Sequence, residues 1–107
     1  MSAITTHVLD TALGCPAAGI PITLERSEGG HFVAKGQGVT DSDGRCRDLL
    51  APGALLAGTW RITFALEGYQ TGFYPYASIV FRIEDPGQHY HVPLLLSPYG
   101  YSTYRGS

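Results

Sequence analysis

An all-β fold is predicted for this chain, arranged as an antiparallel sandwich of two sheets with about seven or eight strands. Apolar residues recur at every second position through much of the sequence, as they do in a strand that buries one face. Glycine and proline interrupt this alternation at short intervals, and the period of an amphipathic helix is nearly absent. With 107 residues, the chain fits one domain spanning 1–107.

The first half of the chain predicts two strands and two tight turns. Residues 20–26 alternate apolar and polar side chains, so one face of this strand is expected to be buried. The Glu-Gly-Gly turn at 28–30 leads into a second strand over 31–35. The Asp-Gly dipeptide at 43–44 predicts a type I′ turn with positive φ at both positions, which places Arg45 directly after the turn.

The second half predicts two further strands and a final hairpin. Apolar and polar residues alternate again over 60–66 and 77–83. In the hairpin, residues 89–96 are expected to pair with residues 101–106 through a turn at 97–100. These segments complete the two packed sheets.

The charge of the chain excludes several classes of partner. The formal net charge is −2 and the isoelectric point is near 6.0, with lysine and arginine scattered singly. No basic stripe is available to neutralise phosphates, so we expect neither nucleic acid nor an anionic membrane surface as a partner. The first residues also lack the charged and apolar regions of a signal peptide, and we expect a soluble, unprocessed protein.

The two cysteines, Cys15 and Cys46, do not form a disulfide framework or a zinc-ligand spacing. We interpret both as free thiols, which favours a reducing compartment. A cytoplasmic location is therefore expected.

Two histidines lie close together near the end of the chain. In a strand over 89–96, His89 and His91 share one face and could form half of a metal site. No third ligand of comparable quality stands out, so we expect no metal and no cofactor, and we interpret His89 as an exposed residue near a loop. Pro93 cannot donate to a ladder, which predicts an edge strand or a bulge, and an edge strand can reach another subunit.

Three segments together resemble signatures of the transthyretin-like family. Residues 6–17 resemble its opening signature and include His7, and residues 40–45 resemble its middle loop, where the enzymes of the family place an arginine. Residues 89–107 resemble its closing signature, which ends on Tyr-Arg-Gly-Ser in the branch that hydrolyses 5-hydroxyisourate. Each motif alone is weak, but three in this order span nearly the whole chain.

The resemblance implies a transthyretin-like sandwich that opens the ring of 5-hydroxyisourate, the product of urate oxidation. It implies a homotetramer, a dimer of dimers whose central channel holds the active sites between subunits. It assigns catalysis to His7, Arg45 and His91. It assigns substrate binding to the closing tetrapeptide: Tyr104, Arg105, Gly106 and Ser107.

The residue types fit this chemistry. Opening a cyclic amide with water needs a base for the water, a proton donor for the departing nitrogen and a group facing the developing oxyanion. Near neutral pH one histidine can be neutral while the other is protonated, so the pair can supply both a base and an acid. Arginine stays charged and offers a planar pair of hydrogen-bond donors. We favour His91 as the group nearest the water, with His7 assisting.

Two other functions remain open. Hormone-carrying transthyretins are similar in fold, but they have lysine, glutamate and threonine where this chain has His7, Arg45 and His91. A carrier of a small aromatic ligand would bind the ligand without turning it over. A structural or interaction domain would neither bind such a ligand nor turn it over.

One segment departs from the family pattern. The family normally has a short helix before its strand at 77–83, but the segment at 67–76 is shorter here and contains two glycines and a proline. A stable helix is therefore doubtful. We interpret its aromatic side chains as packing groups: Tyr69, Phe73, Tyr74 and Tyr76.

Overall fold

The computed structural model describes residues 3–106, and this part of the chain contains ten strands and no helix. The strands are β1 (Ile4–Asp10), β2 (Cys15–Pro16), β3 (Pro21–Glu28), β4 (His31–Val39), β5 (Arg45–Cys46), β6 (Gly58–Ala65), β7 (Tyr76–Ile83), β8 (Tyr90–His91), β9 (Leu94–Ser97) and β10 (Gly100–Thr103). Seven of them have four or more residues. The all-β prediction is confirmed. Over residues 3–106, no helix capable of crossing a membrane is found.

The strands form two sheets. One has the order β10-β9-β1-β2, with β5 and β8 also pairing with β1, and the other has the order β4-β3-β6-β7. Most pairs are antiparallel as predicted, but β1 runs parallel to β8 and β9. The spacing of apolar residues defines faces and not strand direction, so it did not indicate these parallel pairs.

The core lies between the two sheets and takes side chains from both. Val8 and Leu94 of the first sheet belong to the same buried cluster as Ile22, Trp60 and Phe64 of the second. The alternation predicted for the strands around 20–26 and 60–66 is confirmed. Burying each large apolar side chain contributes about 1.5–3 kcal/mol relative to exposure, so this layer fixes which faces point outward.

The final hairpin has the predicted turn, since Ser97 pairs with Gly100. Pro93 was predicted to mark an edge strand or a bulge, and both alternatives are wrong. β9 pairs on both sides, with β1 and with β10, and the pairs Thr5–His91 and Val8–Leu94 keep one register. The strand is instead interrupted between β8 and β9. Pro93 lies in this gap, where no ladder hydrogen bond needs the backbone N–H that proline lacks. The Pro93 carbonyl accepts a hydrogen bond of 2.7 Å from the Thr103 hydroxyl.

The segment at 67–76 has no helix. Tyr69 and Tyr74 pack against the core as interpreted, whereas Phe73 and Tyr76 are exposed and do not. The Tyr69 hydroxyl donates to Oδ2 of the buried Asp10 at 2.7 Å. Oδ1 of Asp10 accepts from the backbone N–H groups of Ala12 and Leu13, each at 3.0 Å. The bond from Tyr69 is the main cause of the lowered pKa of Asp10, and burial together with this bond raises the pKa of Tyr69 to about 12.

Replacing Tyr69 by phenylalanine is expected to destabilise the fold by about 1–3 kcal/mol at neutral pH, because Asp10 loses its charged hydrogen bond. Because the pKa of Asp10 is lower in the folded protein than its ordinary value of 3.8, ionised Asp10 stabilises the fold at pH values above 3.8. This stabilisation is lost as the pH falls through the lowered pKa of the folded state. The difference from wild type should therefore shrink in acid. Urea unfolding at pH 7 and below pH 4, at one protein concentration, measures it.

The matched control is Tyr99→Phe, which removes a hydroxyl from a side chain that is 82% exposed. It should unfold with the wild-type midpoint. Equal midpoints for the Tyr69 and Tyr99 variants would show that the contact with Asp10 contributes no stability.

Candidate active site

Strand β1 brings together the three segments that carry the candidate catalytic residues. His7 of β1 is directly opposite Arg45 of β5, and Thr5 of β1 is directly opposite His91 of β8. Thr5 and His7 are two residues apart, so both point to the same face of the strand. The structure therefore gathers His7, Arg45 and His91 around the first half of β1.

The turn before Arg45 is held by Asp41. Its Oδ1 accepts hydrogen bonds from the N–H groups of Asp43 at 2.9 Å and Arg45 at 3.0 Å, and the bond from Arg45 is the main cause of the lowered pKa of Asp41. The type I′ prediction is wrong, because Gly44 has φ +74° while no non-glycine residue in 3–106 has positive φ. A Cβ at Gly44 would lie 2.5 Å from the Val8 oxygen, so only glycine fits against β1.

The ring of His7 is fixed by this same turn. Its Nε2 lies 2.8 Å from the backbone oxygen of Asp43. A carbonyl oxygen can only accept, so Nε2 carries the hydrogen and the neutral ring keeps its lone pair on Nδ1. His7 is half-buried and presents Nδ1 as the nitrogen available for chemistry.

His91 is held through its other nitrogen. Its Nδ1 lies 2.8 Å from the hydroxyl oxygen of Thr5, which leaves Nε2 as the available nitrogen. Burial is the main cause of the lowered pKa of His91, and the positive charge of Arg45 and the proximity of His7 and His89 lower it further. The ring is therefore neutral near pH 7 and can accept a proton.

His89 is exposed, as expected, but it also contacts the cluster: its Nε2 lies 3.0 Å from the Thr5 hydroxyl oxygen. Sequence reasoning missed Thr5, because a threonine in a strand gives no signal of its own. Over residues 3–106 the structure has no group of three or more histidine, cysteine, aspartate or glutamate side chains placed to hold a metal ion.

The residues of the closing tetrapeptide do not all lie at the histidine cluster. Gly106 pairs with His91, and its N–H donates to the His91 oxygen at 2.8 Å. A Cβ at position 106 would lie 2.6 Å from Cδ2 of His91, so glycine allows the backbone to lie against the imidazole. Ser107 lies outside the described residues.

Tyr104 and Arg105 are not brought to the histidines within this chain. The Arg105 guanidinium lies 4.5 Å from the centre of the Tyr90 ring and donates to Gln88 at 2.9 Å. Tyr90 precedes His91 in β8 and so points to the opposite face. Tyr104 is 58% exposed and lines, with Arg105 and residues of β7, a groove of about 320 Å³.

The chain is similar in sequence and in structure to known proteins. Residues 4–106 match the HIUase/Transthyretin family model. The 5-hydroxyisourate hydrolase of Mus musculus is 46% identical over an alignment that covers 99% of this chain and 96% of the relative. The structure of the Klebsiella pneumoniae 5-hydroxyisourate hydrolase superposes with a TM-score of 0.85 at 34% identity, covering 100% of both chains. Sea bream transthyretin in complex with thyroxine gives a TM-score of 0.91 at 28% identity, covering 98% of this chain and 95% of that one.

Proposed function

The chain belongs to the HIUase/Transthyretin family, and we propose that within it the chain is the hydrolase that opens 5-hydroxyisourate to 2-oxo-4-hydroxy-4-carboxy-5-ureidoimidazoline. The observation that carries this proposal is the meeting of His7, Arg45 and His91 around β1. The hydrolase relatives support it, because the mouse enzyme is 46% identical whereas the thyroxine-bound transthyretin is 28% identical. A carrier function is less supported.

In the proposed mechanism, each residue acts through the atom that the fold leaves available. Neutral His91 takes a proton at Nε2 from the water whose oxygen attacks the amide carbonyl. Arg45 donates hydrogen bonds to the carbonyl oxygen as it becomes an oxyanion. His7, held at Nε2 by Asp43, enters this step protonated on both nitrogens and gives its Nδ1 proton to the departing ring nitrogen when the carbon–nitrogen bond breaks, which leaves a neutral ring with its lone pair on Nδ1. Proton exchange with solvent then restores both imidazoles.

Substituting alanine for Gly106 is expected to lower kcat roughly 10- to 100-fold, because the added Cβ forces the His91 ring to move and misplaced catalytic groups lose rate steeply. Gly68→Ala is the matched control, since an added Cβ there meets nothing within 4 Å. Steady-state assays of both variants measure the effect. Wild-type kcat in Gly106→Ala would show that the segment at 106 does not constrain His91.

We also propose the homotetramer. The outer strands β7 and β10 leave sheet edges open, and Tyr76 and Val80 on β7 and Tyr101 on β10 expose large apolar side chains. Association through these edges would bury them. Tyr104 and Arg105 could then contact substrate across a subunit boundary. Light scattering with size exclusion should give four times the chain mass of 11.5 kDa, and a monomer at assay concentration would contradict the assembly.

A cytoplasmic setting is proposed as well, supported by the free thiols of Cys15 and Cys46. Fractionation of source cells with an antibody to the protein tests it. Recovery in an extracellular or membrane fraction would contradict it.

The reaction itself is tested by product analysis in water enriched in ¹⁸O. Hydrolysis places one labelled oxygen in the carboxyl group that ring opening creates. Mass spectrometry should find this singly labelled product at times when a protein-free sample still holds substrate. An unlabelled product, or product only at the protein-free rate, would contradict catalysed hydrolysis.

A further inference from the structure

The hydroxyl of Thr5 lies between two imidazole nitrogens. Its oxygen is 2.8 Å from Nδ1 of His91 and 3.0 Å from Nε2 of His89. Thr5 is only 5% exposed, whereas His89 is exposed and His91 is half-buried. Three side chains therefore form a continuous hydrogen-bonded chain from the candidate base to the surface.

The number of hydrogens limits how this chain can be arranged. The Thr5 hydroxyl has one hydrogen and can donate it to only one of the two nitrogens. At least one imidazole must therefore carry a hydrogen on the nitrogen that faces Thr5. The position of the hydrogen on the His89 ring and the position of the hydrogen on the His91 ring are therefore linked through one hydroxyl.

We propose that Thr5 and His89 are positioning residues that fix the tautomer of His91. In this arrangement His91 donates its Nδ1–H to the Thr5 oxygen, and Thr5 donates its hydroxyl hydrogen to Nε2 of His89. The lone pair of His91 is then held on Nε2. The inference rests on the proposed function, in which Nε2 of His91 takes the proton of the attacking water.

The opposite orientation removes the base. When Nε2 of His89 carries a hydrogen it can only donate, so the Thr5 hydroxyl turns its own hydrogen toward Nδ1 of His91, and the neutral His91 ring then carries its hydrogen on Nε2. The other titratable and charged groups around His91 are His7 on β1 and Arg45 on β5. Neither is hydrogen-bonded to Thr5 Oγ in the described structure. A hydrogen on Nε2 of His89 therefore reverses both hydrogen bonds of the Thr5 hydroxyl.

Thr5→Val and Thr5→Ser test the proposal, since valine keeps the shape without the hydroxyl and serine keeps the hydroxyl. We expect kcat to fall about 10- to 100-fold in Thr5→Val with little change in KM, and serine to restore most of it. His89→Phe, which removes the acceptor, should lower kcat in the same direction. Wild-type kcat in both Thr5→Val and His89→Phe would overturn the proposal.

Nitrogen-15 NMR of histidine-labelled protein gives a readout that a purely structural role would not move. At a pH where His91 is neutral, Nδ1 should be protonated in wild type and in Thr5→Ser, and this preference should be lost in Thr5→Val and His89→Phe. Protonation of Nε2 in the wild type would overturn the proposal even if Thr5→Val fails to fold. A wild-type protein without hydrolase activity would instead refute the proposed function, so the two failures are distinguishable.

Discussion

Replacing His91 by asparagine is expected to lower kcat for 5-hydroxyisourate by on the order of a hundredfold or more, the loss typical of a missing positioned base. Asparagine can still hydrogen-bond to Thr5, but it cannot accept the proton of the attacking water. The equivalent substitution of His7 should cause a loss of the same order, because the departing nitrogen loses its proton donor. Stopped-flow or rapid manual mixing with fresh substrate measures both rates.

The pH dependence gives a second part of the same test. Because the pKa of His91 lies below its ordinary value of 6.5, wild-type kcat/KM should stay high through pH 6.5 and fall only as the pH drops through the lowered value. That acidic limb should be absent from the residual activity of His91→Asn.

His31→Asn is the matched control, since His31 is exposed at the start of β4, outside the cluster. It should keep wild-type kcat, and all variants should keep the circular dichroism and assembly size of the parent. Near-normal turnover in both His7→Asn and His91→Asn would refute the two-histidine mechanism.

Changing Arg45 to lysine is expected to remove most of the activity, at least tenfold in kcat, although the positive charge is retained. Lysine lacks the planar fork that can donate two hydrogen bonds to the developing oxyanion, and losing such a charged interaction costs well over about 1 kcal/mol. Since the interaction strengthens in the transition state, kcat should fall more than substrate binding.

Arg47→Lys is the control for this substitution. Arg47 lies two residues away and forms an exposed ion pair with Asp41 at 3.3 Å, which lysine can replace. It should retain nearly full activity. More than half of the wild-type rate in Arg45→Lys would show that Arg45 acts only through its charge at a distance.

The strands could be predicted from the sequence because a strand that buries one face has apolar residues at alternate positions. Ile22 and Leu24 alternate with polar neighbours for this reason, and both are buried in the structure. This alternation does not depend on the direction of a strand or on its partner, so the parallel pairing of β1 with β8 and β9 was not predicted. Pro93 was predicted to lie at an edge or a bulge because it cannot donate to a ladder, but a gap between two strands accommodates the missing donor equally well.

The candidate site was predicted from sequence motifs, and not from residue type alone. The resemblance to the transthyretin-like family pointed to His7, Arg45 and His91, and their residue types fit a base, an acid and a charged donor. Thr5 was not recognised, since a threonine in a strand is ordinary and its role depends on two rings that are more than eighty residues away. Pairwise geometry of this kind depends on the folded register.

The central claim is tested most directly by the decay of freshly made 5-hydroxyisourate. Urate oxidase generates the substrate in the cuvette, and its ultraviolet absorbance is followed after this chain is added at a series of concentrations. We predict that the decay accelerates in proportion to protein concentration and that His31→Asn does the same. Saturable binding of the substrate, with the decay unchanged at every protein concentration, would contradict the account.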